Sequence, residues 1–240
     1  MSKLFLVLGA LLAWLAILPA TASVNLDRTR LILEGDERGV SIMAINSQNK
    51  PYLLQSWVET EDGEKMNGPL LALPPLQRIE PNAKTLLQVA MVGQAQDLAQ
   101  DRESLFYFNV LEVPPKSDKD NVLQIAFQSR LKLFYRPKGM PKPAKMPWQA
   151  QMVIRAAGST LTFENPTAYH IVIAALGEAE DDSFTDFSEL VVKPYSSATY
   201  TAPSMSLNPN IHLRYMDDFG GARPLTYDCG QAPCQLLMPK

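Results

Sequence analysis

Few residues in this 240-residue chain could carry chemistry, and their spacing narrows the choice further. Cys229 and Cys234 are the only cysteines, and they enclose Gly230, Gln231, Ala232 and Pro233. A redox pair of the Cys-x-x-Cys kind has two intervening residues. Four suit a structural disulfide closing a small loop, with two free thiols as the alternative. His170 and His212 show no metal-binding spacing, so zinc would lack ligands. Serine, histidine and aspartate all occur, yet no Gly-x-Ser-x-Gly elbow does, and neither histidine lies in a catalytic motif. The acidic stretch Glu178 to Asp182 reads as a solvated loop. Catalysis is not expected, and nothing calls for a cofactor or a metal.

That leaves binding, and one segment is built for it. From Asn121 to Tyr135 the odd positions are Leu123, Ile125, Phe127, Ser129, Leu131, Leu133 and Tyr135, while the even ones include Gln124, Gln128, Arg130 and Lys132. Alternation of this kind suits a half-buried strand. A single strand over that whole run would be about 50 Å long, well beyond the ~5–6 residues of an average one. Such length favours a second role, with one end packed at home and the other offering an apolar edge to a partner.

The elements around this run are also strands. Nineteen prolines and eight tyrosines lean toward strands and turns. Runs at Val40–Ile45, Tyr52–Thr60, Thr85–Val92 and Leu105–Val113 precede it, with one short helical turn expected between Gln94 and Gln100. Pro137, Pro141, Pro143 and Pro147 then interrupt the pattern, since proline donates no ladder hydrogen bond. Strands resume at Thr160–Glu164, Ile171–Leu176, Phe187–Val192, Ser197–Thr201, Ile211–Tyr215 and Leu225–Tyr227. The expected organisation is a first β-sandwich over 23–137, a proline-rich linker over 138–147 and a second sandwich over 148–240.

Ahead of them, Lys3 is followed by an apolar run from Leu4 to Leu18, then Pro19 and Ala20-Thr21-Ala22. This has the pattern of a cleavable secretory signal over 1–22, too short for a spanning helix, and the mature chain would begin at Ser23. With 22 basic against 25 acidic residues the net charge is −3, which offers no footprint for nucleic acid.

Several segments resemble the periplasmic pilus chaperones of the chaperone–usher family. The signature is Asp101-Arg102-Glu103-Ser104-Leu105-Phe106-Tyr107-Phe108-Asn109 with Pro114-Pro115. Leu26-Asp27-Arg28-Thr29-Arg30 is similar to the family's first strand, and Leu73-Pro74-Pro75-Leu76 through Pro81 to the loop that follows. Leu123 to Phe127 and Lys132 to Pro137 resemble its first-domain G strand. Glu164-Asn165-Pro166-Thr167 and Asp218-Phe219-Gly220-Gly221 resemble second-domain motifs. The matches span the mature chain in family order.

The resemblance implies an all-β fold of two immunoglobulin-like β-sandwich domains set at an angle, with a cleft between them. It implies a periplasmic chaperone that donates its G strand to pilus subunits lacking their last strand and passes them to an outer-membrane usher, without inserting into the membrane. Leu123, Ile125 and Phe127 would face the subunit's groove, and Arg30 and Lys132 would anchor its C-terminal carboxylate. Glu103, Arg136 and Asp218 would form a charge network fixing the interdomain angle. The short connection from Val113 to Asn121 resembles the short-loop subclass. An exposed donor edge would also permit self-association of the unloaded chain. Lys132 has the opposite parity to Leu123, Ile125 and Phe127, so a bulge, strong twist or bend is expected to reconcile them. A structural or adhesive fibre subunit is the alternative, disfavoured because Val24 opens the first domain with no donor extension before it.

Overall fold

Alternating apolar and polar residues can bury one face only by pairing edge to edge into sheets and stacking those sheets. The computed structural model describes residues 23–118, 121–140, 147–179, 183–202 and 210–237. The proposed leader 1–22, most of the proline-rich linker and residues 180–182 of the acidic stretch lie outside them. The first half comprises β1 (Val24–Leu26), β2 (Arg30–Glu34), β3 (Gly39–Asn46), β4 (Tyr52–Glu59), β5 (Leu70–Leu73), β6 (Leu76–Ile79), β7 (Lys84–Met91), β8 (Ser104–Val113) and β9 (Phe127–Arg136). A four-stranded sheet ordered β1-β3-β7-β5 stacks on a five-stranded sheet ordered β2-β9-β8-β4-β6. Leu31, Leu33, Ile42, Leu54, Phe108 and Leu133 fill the space between them, each contributing about 1.5–3 kcal/mol on burial. The expected helical turn is a 3-10 turn at Ala95–Asp97.

The second half comprises β10 (Val153–Ala157), β11 (Thr160–Asn165), β12 (Ile171–Gly177), β13 (Leu190–Val192), β14 (Ser196–Thr201), β15 (Asn210–Met216), β16 (Ala222–Asp228) and β17 (Gln235–Leu237). Its sheets run β10-β11-β14 and β13-β12-β15-β16-β17. Ile154, Phe163, Ile173, Ile211 and Tyr227 form its core. Cys229 and Cys234 are disulfide-bonded, and the Cys234 backbone N–H donates to the Ile154 carbonyl at 2.8 Å, tying β17's loop to β10. The fold is therefore two immunoglobulin-like sandwiches. A third apolar cluster of Leu105, Phe134 and Val172, flanked by Ile32, Val191 and Met216, joins them.

Two expectations about the long run need correction. The strand begins at Phe127 rather than Asn121, and 122–126 pair with no strand among the described residues. The ladder to β8 ends at Glu112↔Phe127, and Pro114-Pro115 supplies no N–H donors to extend it. Alternation alone cannot make a strand where no partner offers hydrogen bonds. The connection between β8 and β9 is accordingly longer than the Val113–Asn121 reading. Nor does a bulge reconcile Lys132 with the apolar positions. The register runs unbroken from Glu112↔Phe127 to Ser104↔Tyr135, so β9 simply uses both faces. Leu131, Leu133 and Tyr135 enter the home core, while Lys132, Phe134 and Arg136 face the other way, toward the second domain.

Candidate functional site: the interdomain cleft and the exposed edge of β9

The parallel pairing of β2 with β9 sets side chains beside one another rung by rung: Arg30↔Lys132, Ile32↔Phe134 and Glu34↔Arg136. All six belong to the face that looks away from the sandwich core. Ile32 and Phe134 form the apolar floor, with one charged rung on either side of it.

The inner rung is saturated. Arg136 Nε donates to Glu103 Oε1 at 2.8 Å, and its two terminal nitrogens donate to the two Asp218 oxygens at 2.7 Å each. Glu34 approaches Arg136 at 3.6 Å. Glu103 is held in turn from the second domain. Its Oε2 accepts the His170 backbone N–H at 2.7 Å and lies 2.8 Å from His170 Nδ1, and its own N–H donates to the Ala168 carbonyl at 2.9 Å. The Trp148 and Tyr169 rings each lie 5.2 Å from the guanidinium carbon. Burial alone would lower the Arg136 pKa, but its hydrogen bonds to Asp218 and the charges of Glu103 and Asp218 raise it.

Asp218 arrives on the β15–β16 hairpin, and the local sequence explains how. Asp217 Oδ1 accepts the backbone N–H groups of Phe219 and Gly221 at 3.0 and 2.7 Å, shaping the turn. Gly220 sits at φ +82°, and a Cβ there would come within 2.2 Å of Thr29 Oγ1. Only glycine lets the hairpin tip lie against the first domain. Desolvation pushes the Asp217 carboxyl up, but hydrogen bonds from Arg223 and from those backbone groups hold it below the usual carboxylate range.

The outer rung is not saturated. Arg30 is 8% exposed, and its Nε is buried with no hydrogen-bond partner among the described residues. Burial lowers its pKa, opposed most by the charge of Glu189. Lys132 Nζ pairs with the Glu189 carboxylate from the second domain. Arg30, Ile32, Glu34, Arg136, Asp218 and Phe219 line an open hollow beside this rung. Further toward the strand's start, Arg130 lies over the Tyr107 ring, with 3.4 Å from its guanidinium carbon to the centroid.

Upstream of β9 the odd positions stand in solvent. Leu123 is 84%, Ile125 58% and Phe127 59% exposed. The Gln124 side chain donates to the Pro115 carbonyl at 2.6 Å, steadying the segment against the preceding loop. Three alternate large apolar side chains in water are unfavourable unless something else covers them. Among the described residues no group of three or more His, Cys, Asp or Glu side chains could hold a metal ion, and no helix is long and apolar enough to cross a membrane.

Comparison with known proteins decides the family. Residues 23–141 match the pili and flagellar-assembly chaperone, PapD N-terminal domain, and residues 143–227 match the pili assembly chaperone PapD, C-terminal domain. The chain belongs to the PapD family of pilus chaperones. Chaperone protein PmfD of Proteus mirabilis is 41% identical over 234 residues, covering 95% of this chain and 92% of PmfD. Chaperone protein PapD of Escherichia coli is 39% identical over 230 residues, 92% of each chain. Among solved structures, the Salmonella enterica SafA pilin in complex with the SafB chaperone aligns with TM-score 0.75 at 28% identity, covering 88% of this chain and 98% of that one. The family is one of chaperones rather than enzymes, and this chaperone serves pilus subunits in the periplasm.

Residue matching picked out Glu103, Arg136 and Asp218, which meet at one point, and Arg30 and Lys132, which pair on the charged rung beyond Ile32 and Phe134. It missed Glu34, His170 and Glu189. Glu34 was within reach, since pairing Arg30 with Lys132 in parallel puts Glu34 beside Arg136. His170 and Glu189 carry no local signal. Each is an ordinary residue of the second domain that meets a partner 67 or 57 positions away.

Proposed function

We propose that this chaperone captures a pilus subunit lacking its final strand by lending it β9 and the apolar segment ahead of it. Leu123, Ile125 and Phe127 enter the subunit's open groove, and Arg30 and Lys132 bind its C-terminal carboxylate. One observation carries the reading. Three exposed apolar side chains at alternate positions run directly into a strand whose opposite face sets Lys132 beside Arg30 of β2, two cations that share one half-exposed carboxylate.

The physical sequence follows. A strand-deficient subunit exposes core side chains and a row of unpaired backbone groups, which invites aggregation. Strand addition satisfies both, the backbone supplying affinity and the alternate side chains specificity. A carboxylate has two acceptor oxygens, and two cations side by side give charge-assisted bonds that set the register. Arg136, Glu103 and Asp218 hold the domains so that the cleft keeps its width. The leader 1–22 exports the chain, an outer-membrane usher receives the loaded complex, and the same edge lets unloaded copies pair. SafB, solved in complex with a pilin, supports the subunit as partner.

The test is co-expression with a strand-deficient pilus subunit. Wild type should recover the subunit in soluble form from the periplasm. Ile125→Asp should not, while melting at the wild-type temperature. Loss of the fold in Ile125→Asp would place that side chain in the home core and overturn the donor assignment.

A further inference from the structure

Lys132 has one ion-pair partner among the described residues, and it comes from the other domain. Glu189 stands directly ahead of β13 and reaches across the cleft to Lys132 Nζ. The Lys132 side chain is 15% exposed and that of Glu189 41%. The neighbouring acids are committed elsewhere. Asp218 and Glu103 are bonded to Arg136, and Asp217 to Arg223 and the hairpin backbone. Among the described residues the Glu189 side chain makes no hydrogen bond besides the one to Lys132. It is also the acid that acts most strongly on Arg30. One half-exposed carboxylate thus faces both cations of the outer rung.

Building on the reading of Arg30 and Lys132 as a carboxylate anchor, we propose that Glu189 is a built-in surrogate for the partner's C-terminal carboxylate. It partly neutralises the anchor in the unloaded chaperone and yields its place on capture. The physics favours a device of this kind. Two cations adjacent in register repel each other in a partly desolvated cleft, and Arg30 Nε already lacks a partner. A half-exposed single-contact ion pair is weak and exchangeable. Swapping one carboxylate for another leaves the site's charge unchanged, whereas a neutral chain end has nothing to exchange. Glu189 therefore makes the cleft selective for an anion while restraining affinity.

The experiment titrates an N-acetylated octapeptide of alternating valine and threonine, as free acid and as C-terminal amide, into wild type, Glu189→Gln, Lys132→Ala and the double variant. Acetate is titrated in parallel and followed through the Lys132 side-chain NMR signals in wild type and Glu189→Gln, so the carboxylate is tested even if the peptide fails to dock. Glu189→Gln should bind the acid peptide roughly threefold to fivefold more tightly, leave the amide unchanged and lower the acetate concentration at half-saturation. The gain should vanish on the Lys132→Ala background. Unchanged or weaker acid binding in Glu189→Gln, with the acid preference still lost in Lys132→Ala, would overturn the surrogate and leave the anchor standing. Acid preference surviving in Lys132→Ala would overturn the anchor itself. With no peptide bound, an unchanged acetate midpoint in Glu189→Gln would overturn the surrogate.

Discussion

Two cationic rungs share one face of one sheet, four residues apart on β9, or about 13 Å. Arg136 on the inner rung is bonded to Glu103 and Asp218 and approached by Glu34. Arg30 and Lys132 on the outer rung have a bare Nε and a single half-exposed partner between them. Both lie in the same cleft and both are largely buried, so burial does not distinguish them. The inventory of acceptors does. A guanidinium whose donors are filled by carboxylates from two domains is held in place. A cation buried short of acceptors retains unspent electrostatic attraction for a ligand. On the proposed reading, the inner rung braces the domains and the outer rung receives the subunit's carboxylate.

Breaking the inner rung should have the largest effect. Arg136→Ala strands Glu103, whose side chain is 1% exposed, and removing one partner of such a pair costs about 3–5 kcal/mol. Urea titration should show that loss, while Arg30→Ala melts unchanged or slightly higher because a repulsion is relieved. Equal destabilisation by the two would erase the distinction.

The outer rung is probed by binding. Arg30→Ala and Lys132→Ala should each weaken subunit capture by about 2–5 kcal/mol, several hundred-fold at the midpoint. Amidating the subunit's C-terminus should cost wild type heavily and the variants little. If amidation leaves wild-type affinity intact, the outer rung is no anchor.

The two ends of the long run extend the comparison along the strand. Phe127→Asp should reduce capture by the worth of one buried side chain, about 1.5–3 kcal/mol, with an unaltered melt. Leu133→Asp, at a fully buried position of the same parity, should prevent folding. Matching melts for the pair would mean that β9 does not divide its labour.

The smallest effect is a pH dependence on the hairpin carrying Asp218. The Asp217 carboxyl is held below its ordinary value, so its contribution is complete above about pH 3.9. It should fade as pH falls through the lower folded-state value. Acid titration of Asp217→Asn should give a shallower loss of melting temperature over that interval than wild type. An identical slope would show that the turn does not depend on this carboxylate.

Much of this architecture is legible from period-two patterns. β3, β4 and β7 coincide with alternating runs because each has a buried face and a more exposed one, which constrains every second residue, whereas β8 is central and buried on both faces along much of its length. β5 and β6 are four residues each, on either side of Pro74-Pro75, and too short to show a period. The run 187–192 shrinks to β13 because only Leu190–Val192 finds a neighbour in β12.

The amino-acid sequence by itself determined the β class, the two-sandwich division, the cysteine pairing and the apolar stripe of Leu123, Ile125 and Phe127. Each depends on residue type and short-range spacing, which the chain carries wherever it goes. Tertiary structure decided where the ladder to β8 stops, which face of β9 meets the second domain, and that Glu103 reaches His170 while Lys132 reaches Glu189. Those outcomes depend on hydrogen-bond partners and counter-charges dozens of residues away. A local pattern cannot encode them, because the same lysine is a surface charge or a cleft cation according to what the other domain places opposite it.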